Sequence, residues 1–232
     1  MRSLFGIMLV AVSAWAADDA ARAVAQVVAH GEGSVSAKPD EVRIQIGVVT
    51  QAATAQEASA QNAKQSAAVI SDLKQLLGSG AEFKTTNYSL YPNYRTQRDG
   101  GKPTISGYQA NNTVEVHLKD INQAGKVIDA ATKSGANQIQ GVHFSVRDEQ
   151  KVRGEALAKA AVQARANAQA LASAVGLKVI RLLRVEDGEP PRVVPVRAEM
   201  MMMKSADTAQ TPVEPGEIQV RATVTVTAEV GP

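Results

Sequence analysis

The sequence predicts an α+β fold: a mixed, mainly antiparallel sheet with three helices packed on one face, plus a long hairpin arm. Two observations carry this. Several runs alternate apolar and polar residues with a period of two, the pattern of strands with one buried and one wet face. Three other stretches repeat apolar residues at helical spacing between their own start and stop signals. One-sided strands suit a sheet covered on a single face, as in antiparallel and mixed α+β architectures.

In chain order, residues 1–16 read as a signal peptide: Arg2 is the positive n-region, Leu4 to Val12 a short apolar h-region, and Ala14-Trp15-Ala16 an A-x-A cleavage site. A single exported domain is expected over 17–232, in a bacterial periplasm. A strand is expected at about 24–36, with the Gly31-Glu32-Gly33-Ser34 stretch as a turn or β-bulge, because no helix N-terminus follows to make it a phosphate cradle. Val42, Ile44, Ile46 and Val48 then alternate with polar residues as a second strand. Thr54 followed by Glu57 is a capping box, and Gly78 closes the helix that carries Val69, Ile70, Leu73, Leu76 and Leu77.

Strand-like runs at about 84–94 and 108–118 flank Arg95 to Thr104, which reads as the tip of a long hairpin, and Pro92 marks the incoming run as an edge or bulge. Asp120 with Gln123 opens a second helix, with Ala124, Val127, Ile128 and Ala131 on one face and Gly135 as its stop. A strand at about 138–146 leads to Asp148, which opens an alanine-rich helix ending at Gly176. Its predicted packing stripe is Leu157, Ala161, Ala164, Ala168, Leu171 and Val175. After a strand at about 177–186, residues 186–216 hold five prolines and Met200 to Met203 and read as a flexible loop. Ile218 to Val230 alternate most cleanly of all.

Charge is nearly balanced, 25 Lys+Arg against 23 Asp+Glu, with signs interspersed, so neither nucleic acid nor an anionic membrane surface is indicated, and with no second transmembrane candidate no stable membrane insertion is expected after signal cleavage. With no cysteine there is no disulfide framework. Tyr88, Tyr91, Tyr94 and Tyr108 all lie in the predicted hairpin of a chain that is 3% aromatic, which makes that hairpin the candidate surface for homo-oligomer assembly. Asn62 projects into the apolar stripe of the first helix between Ala55, Ser59, Val69 and Leu73, and is expected to be a structural pin bonded to strand backbone.

Catalytic chemistry is not written in any recognisable spacing. His30, His117 and His143 lack metal-ligand spacing, though His117 and His143 would face each other if their strands paired. No G-x-S-x-G occurs, and no serine has an identifiable histidine partner. The reading is a non-enzymatic chain with no cofactor and no metal. Met200, Met201, Met202 and Met203 form a candidate oxidisable patch.

The segments HGEGSVSAKPDEV at 30–42, NYSLYPNY at 87–94, GYQANNTVEV at 107–116 and PVEPGEIQV at 212–220 resemble the SIMPL-domain family, above all its periplasmic immunogenic and oxidative-stress-defence members. The resemblance runs from about Ala29 to Val230. It implies a periplasmic α+β domain that self-associates, has a loose link to oxidative stress, and brings no catalytic residues to carry over. Two function classes follow: a self-assembling structural or binding module, with a periplasmic protein partner as an option, or a binder of a small apolar ligand or metal, or a hydrolase that the sequence conceals.

Overall fold

The computed structural model describes residues 24–95, 102–188, 192–196 and 211–232. The fold is α+β, with every described strand pair antiparallel, but the strands divide between two sheets.

The first sheet is built from β2 (Glu41–Ala52), β3 (Ala81–Arg95), β4 (Thr104–Leu118) and β5 (Gln138–Ser145), in the order β3-β4-β2-β5. Helix α1 (Ala55–Leu77) joins β2 to β3, and α2 (Ala124–Lys133) joins β4 to β5, which gives the β-α-β-β-α-β unit of split-βαβ folds. Val42, Ile44, Ile46 and Val48 of β2 and Val114, Val116 and Leu118 of β4 are buried against Val69 and Leu73 of α1 and Val127 and Ala131 of α2. Both helices start and stop where local chemistry directs. Thr54 accepts the Glu57 N–H at 3.2 Å, and α1 ends at Gly78, whose φ of 55° suits a residue without Cβ. Asp120 caps a 3-10 turn (Ile121–Gln123) that leads into α2.

The second sheet holds β1 (Gln26–Ala37), β6 (Lys178–Asp187), β7 (Arg192–Val196) and β8 (Glu217–Gly231). β8 is central, with β1 on one side and β6 and β7 sharing the other. Helix α3 (Glu149–Ala174) packs on β1 and β8. β7 falls inside the stretch expected to be a loop. Its valine-rich run pairs with Glu217 to Arg221, and Pro195 is tolerated there because β7 lies on the sheet's edge.

The face of α3 differs from expectation. Val152, Ala156, Ala160, Ala164, Ala168 and Ala172 are buried, whereas Leu171 and Val175 are exposed. The reason lies in β1. Gly31 and Gly33 are regular strand residues in unbroken register with β8, so the expected turn or bulge is absent. A Cβ on Gly31 would strike the Ala160 oxygen and Ala164 nitrogen, and one on Gly33 the Ala156 oxygen. Helix backbone thus rests directly on strand backbone, and the helix residues at the contact are the alanines Ala156, Ala160 and Ala164.

The same crossing closes the free edge of β1. Asn167 Nδ2 donates to the His30 carbonyl at 2.7 Å, Gln163 Oε1 accepts the Glu32 N–H at 2.9 Å, and Lys159 Nζ donates to the Ser34 carbonyl at 3.2 Å. Four helix residues rise ~6 Å, close to the ~6.6 Å of two strand residues. Side chains at every fourth helix position therefore meet every second strand residue, and an edge that would otherwise recruit another strand is occupied.

Two connectors tie the sheets together. The Arg147 N–H donates to Asp40 at 2.7 Å, and the Asp40 N–H to the Ser145 carbonyl at 3.1 Å, which binds the β1–β2 turn to the β5–α3 turn. Ahead of β8, Thr211 donates through its N–H and its Oγ1 to Asp129 of α2, and Val213 packs on the first sheet's core.

Candidate functional site

The β3–β4 hairpin outruns its sheet. β5 reaches no further along β2 than Gly47, and the last β2–β4 pair is Ala52 with Tyr108; past it, among the described residues, Asn93 with Gly107, Tyr94 with Ile105 and Arg95 with Thr104 continue. Among the described residues the end of the hairpin is therefore two-stranded and open on both faces. Residues 96–101 of the expected tip lie outside the described residues. Pro92 stands in β3, the outer strand, next to a register shift at Asn93/Tyr94.

This arm concentrates exposed apolar surface. Tyr88 (52% exposed), Leu90, Tyr91, Tyr94 (63%) and Ile105 are all open to solvent, and Tyr108 is half-buried. Tyr88 and Leu90 share the helix side, where the Tyr88 hydroxyl and Ser59 Oγ are hydrogen-bonded at 2.8 Å. Tyr91 lies on the opposite side and accepts from Gln109 Nε2 at 2.6 Å, while Gln109 accepts from Gln51 Nε2 at 2.9 Å. Two of the exposed rings, Tyr88 and Tyr91, are thus held in place by hydrogen bonds within the chain.

Asn62 is completely buried under the base of the arm. Its Nδ2 donates to the Val48 carbonyl at 2.7 Å and the Ala110 carbonyl at 3.2 Å, bridging β2 and β4, and its Oδ1 accepts from Ser66. The buried face of α1 runs through Ala58, Asn62, Ser66, Val69 and Leu73, so Ala58 and Ser66 take the places expected for Ala55 and Ser59. Met200, Met201, Met202 and Met203, like the predicted signal segment 1–16, lie outside the described residues.

His117 and His143 do not meet: β2 runs between their strands, and each is paired with Arg43. His117 belongs instead to a charged cluster, with Nε2 3.1 Å from Glu41 and Nδ1 3.8 Å from Glu82. Glu41 is 7% exposed and also accepts from Arg147 Nε at 3.0 Å. Burial alone would raise its carboxyl, but the bonds from Arg147 and His117 outweigh that and hold it below the ordinary carboxylate value. Among the described residues no group of three or more His, Cys, Asp or Glu is placed to hold a metal. His30 is bonded through Nδ1 to Thr225. A shallow groove of about 400 Å³ runs beside it, lined by Val28, Ala29, His30, Asn167, Ala170 and Leu171.

Sequence reasoning missed Glu41 and Arg147, the polar ladder of α3, and Asn137. The Asn137 side chain accepts the Val49 N–H at 2.8 Å and donates to the Val49 carbonyl at 2.7 Å, standing in for a strand residue where β5 has ended. The ladder alone had a legible signal: Lys159, Gln163 and Asn167 recur every fourth residue along one flank of the alanine stripe.

The profile of the SIMPL family, described as a protein of unknown function (DUF541), matches residues 16–228. The chain is 26% identical to the 26 kDa periplasmic immunogenic protein of Brucella melitensis over 212 residues, covering 89% of this chain and 85% of that protein. It is 31% identical to the uncharacterized protein YggE of Escherichia coli K12 over 147 residues, 63% of this chain and 59% of that protein.

Proposed function

The chain belongs to the SIMPL family, and from that membership we propose that it is an exported, periplasmic, non-enzymatic module that assembles with copies of itself through the β3–β4 arm. The observation that carries this reading is the arm: exposed Tyr94 and Ile105 on the two-stranded extension, continued by exposed Tyr88, Leu90 and Tyr91 where β4 still pairs with β2, in a chain that is 3% aromatic. Concentrated tyrosine surface with low rotamer entropy is what interfaces select. A periplasmic home is supported by the Brucella relative's name and by the signal-like residues 1–16. Met200 to Met203 add an oxidisable patch to this module, and the oxidative-stress role is proposed on that ground.

Light scattering tests the assembly. The Tyr91→Ala/Tyr94→Ala chain should give smaller species than wild type with an unchanged melt, and an unchanged size would overturn the arm's role. The groove beside His30 favours the second reading, a small apolar ligand. Native mass spectrometry of the purified chain decides that one: a retained small molecule lost on Leu171→Lys supports it, and a bare chain refutes it.

A further inference from the structure

The second sheet has two kinds of edge, and the chain treats them differently. On β1 the outward backbone groups are taken up by Lys159, Gln163 and Asn167. β6 pairs only with β8, and among the described residues no strand covers its other side. Yet β6 is apolar through its middle, with Ile180 60%, Leu182 45% and Val185 55% exposed and Leu183 also open. Leu182 and Val185 lie opposite Ala228 and Val226, on the face that α3 covers over β1 and β8 but leaves largely bare over β6.

Charge along β6 is polarised. Lys178 and Arg181 stand at its start, and Glu186 and Asp187 at its end. An antiparallel copy of the same strand sets basic start against acidic end twice over, whereas a parallel copy sets like against like. Within the chain Arg184 is beside Glu186 at 2.6 Å, Arg181 bonds Glu229 at 2.5 Å and Asp187 accepts from Arg153 at 2.7 Å, so a copy would share charges that already have one partner. The faces also agree. A register shift between Leu182 and Arg184 puts Leu182 and Val185 on one face although three positions separate them. Setting Leu182 opposite Val185 of a copy is therefore symmetric, and it brings Arg181 opposite Glu186 on the other face.

We infer that β6 pairs antiparallel with β6 of a second copy of this chain, joining two sheets into one across a two-fold axis. This rests on the assembly reading above but uses a surface separate from the arm. Arg181 opposite Glu186, formed twice across the axis, sets the register, Lys178 and Asp187 add to the end-to-end charge complementarity, and Ile180, Leu182, Leu183 and Val185 supply the apolar contact.

The experiment is sedimentation velocity on the Tyr91→Ala/Tyr94→Ala chain, in which arm contacts no longer contribute. That chain should remain a dimer. Adding Lys178→Glu/Arg181→Glu, or separately Glu186→Lys/Asp187→Lys, should weaken dimerisation at least about tenfold, and an equimolar mixture of the two should recover it. A monomeric Tyr91→Ala/Tyr94→Ala chain overturns the β6 pairing while supporting the arm. Dimers indifferent to either charge reversal, or a mixture of folded variants that does not recover, overturn it as well. The arm reading fails by a different result, an unchanged wild-type size on replacing the tyrosines. Hydrogen exchange on the unaltered chain asks the same question without substitution: β6 amides should gain protection as concentration rises, and fast exchange in the associated state would contradict the pairing.

Discussion

At the scale of single residues, Asn62 and Glu41 show what a buried polar group does when its partners are fixed. The Asn62 amide spans two strands by donating to the Val48 and Ala110 carbonyls. Asn62→Ala leaves both carbonyls short of a donor in a dry site and should cost about 1 to 3 kcal/mol. Asn62→Asp should cost more near neutral pH, since a carboxylate would face two carbonyl oxygens. Chemical denaturation of the three chains measures both. Glu41 predicts a pH dependence. Its carboxyl titrates below the ordinary value of 4.5 in the folded chain, so its contribution is present above that value and is lost as pH falls through the folded one. Glu41→Gln should therefore lower the melting temperature most near pH 7, with the gap to wild type narrowing below pH ~4.5. A gap that is constant from pH 7 to 3 would mean that the Arg147 and His117 contacts do not stabilise the ionised form.

At the scale of elements, the informative pair is β1 with α3. Helix and strand approach so closely that Gly31 and Gly33 occupy space no Cβ can share with the Ala156, Ala160 and Ala164 backbone. Gly31→Ala should destabilise the fold by about 1 to 3 kcal/mol or more, the cost of overpacking where the obstructing atoms are backbone. The loss would appear as a lower denaturant midpoint with an unchanged slope. Gly154 is the internal control, since a Cβ there meets nothing within 4 Å and Gly154→Ala should be neutral or mildly stabilising. Close approach also brings Gln163 and Asn167 within reach of the β1 edge, so one geometric fact serves both packing and edge protection.

At the scale of the whole molecule, two sheets are bound by a few specific ties and differ in what they leave open. The first sheet extends an arm, and the second, among the described residues, leaves an apolar β6 edge uncovered while its β1 edge is closed. These are the two contact surfaces proposed above for assembly. Oxidation belongs to this scale too. None of the described residues is a methionine, so the described cores hold no thioether to be made polar. Mild peroxide should convert Met200 to Met203 to sulfoxides, seen by peptide mass spectrometry, with the melting temperature unchanged within about 1 °C, far less than 1 kcal/mol would shift it. A large loss of stability would place those side chains in packed surroundings and remove the basis for a sacrificial role.

The sequence by itself determined the class of fold, the helix caps at Thr54 and Asp148, the stop at Gly78, and the alternating core of β2, β4 and β8, because each depends on chemistry within a few neighbouring residues. The tyrosine-rich hairpin was legible for the same reason. The face of α3 was not: alanine lies nearly all round that helix, so its periodicity is weak, and the buried side is chosen by two glycines more than 100 positions away. Asn167 likewise meets His30 across 137 positions. Only tertiary structure decided the division into two sheets and, among the described residues, which sheet edge is capped and which is not, since pairing and close approach are contacts between distant segments that no local pattern encodes.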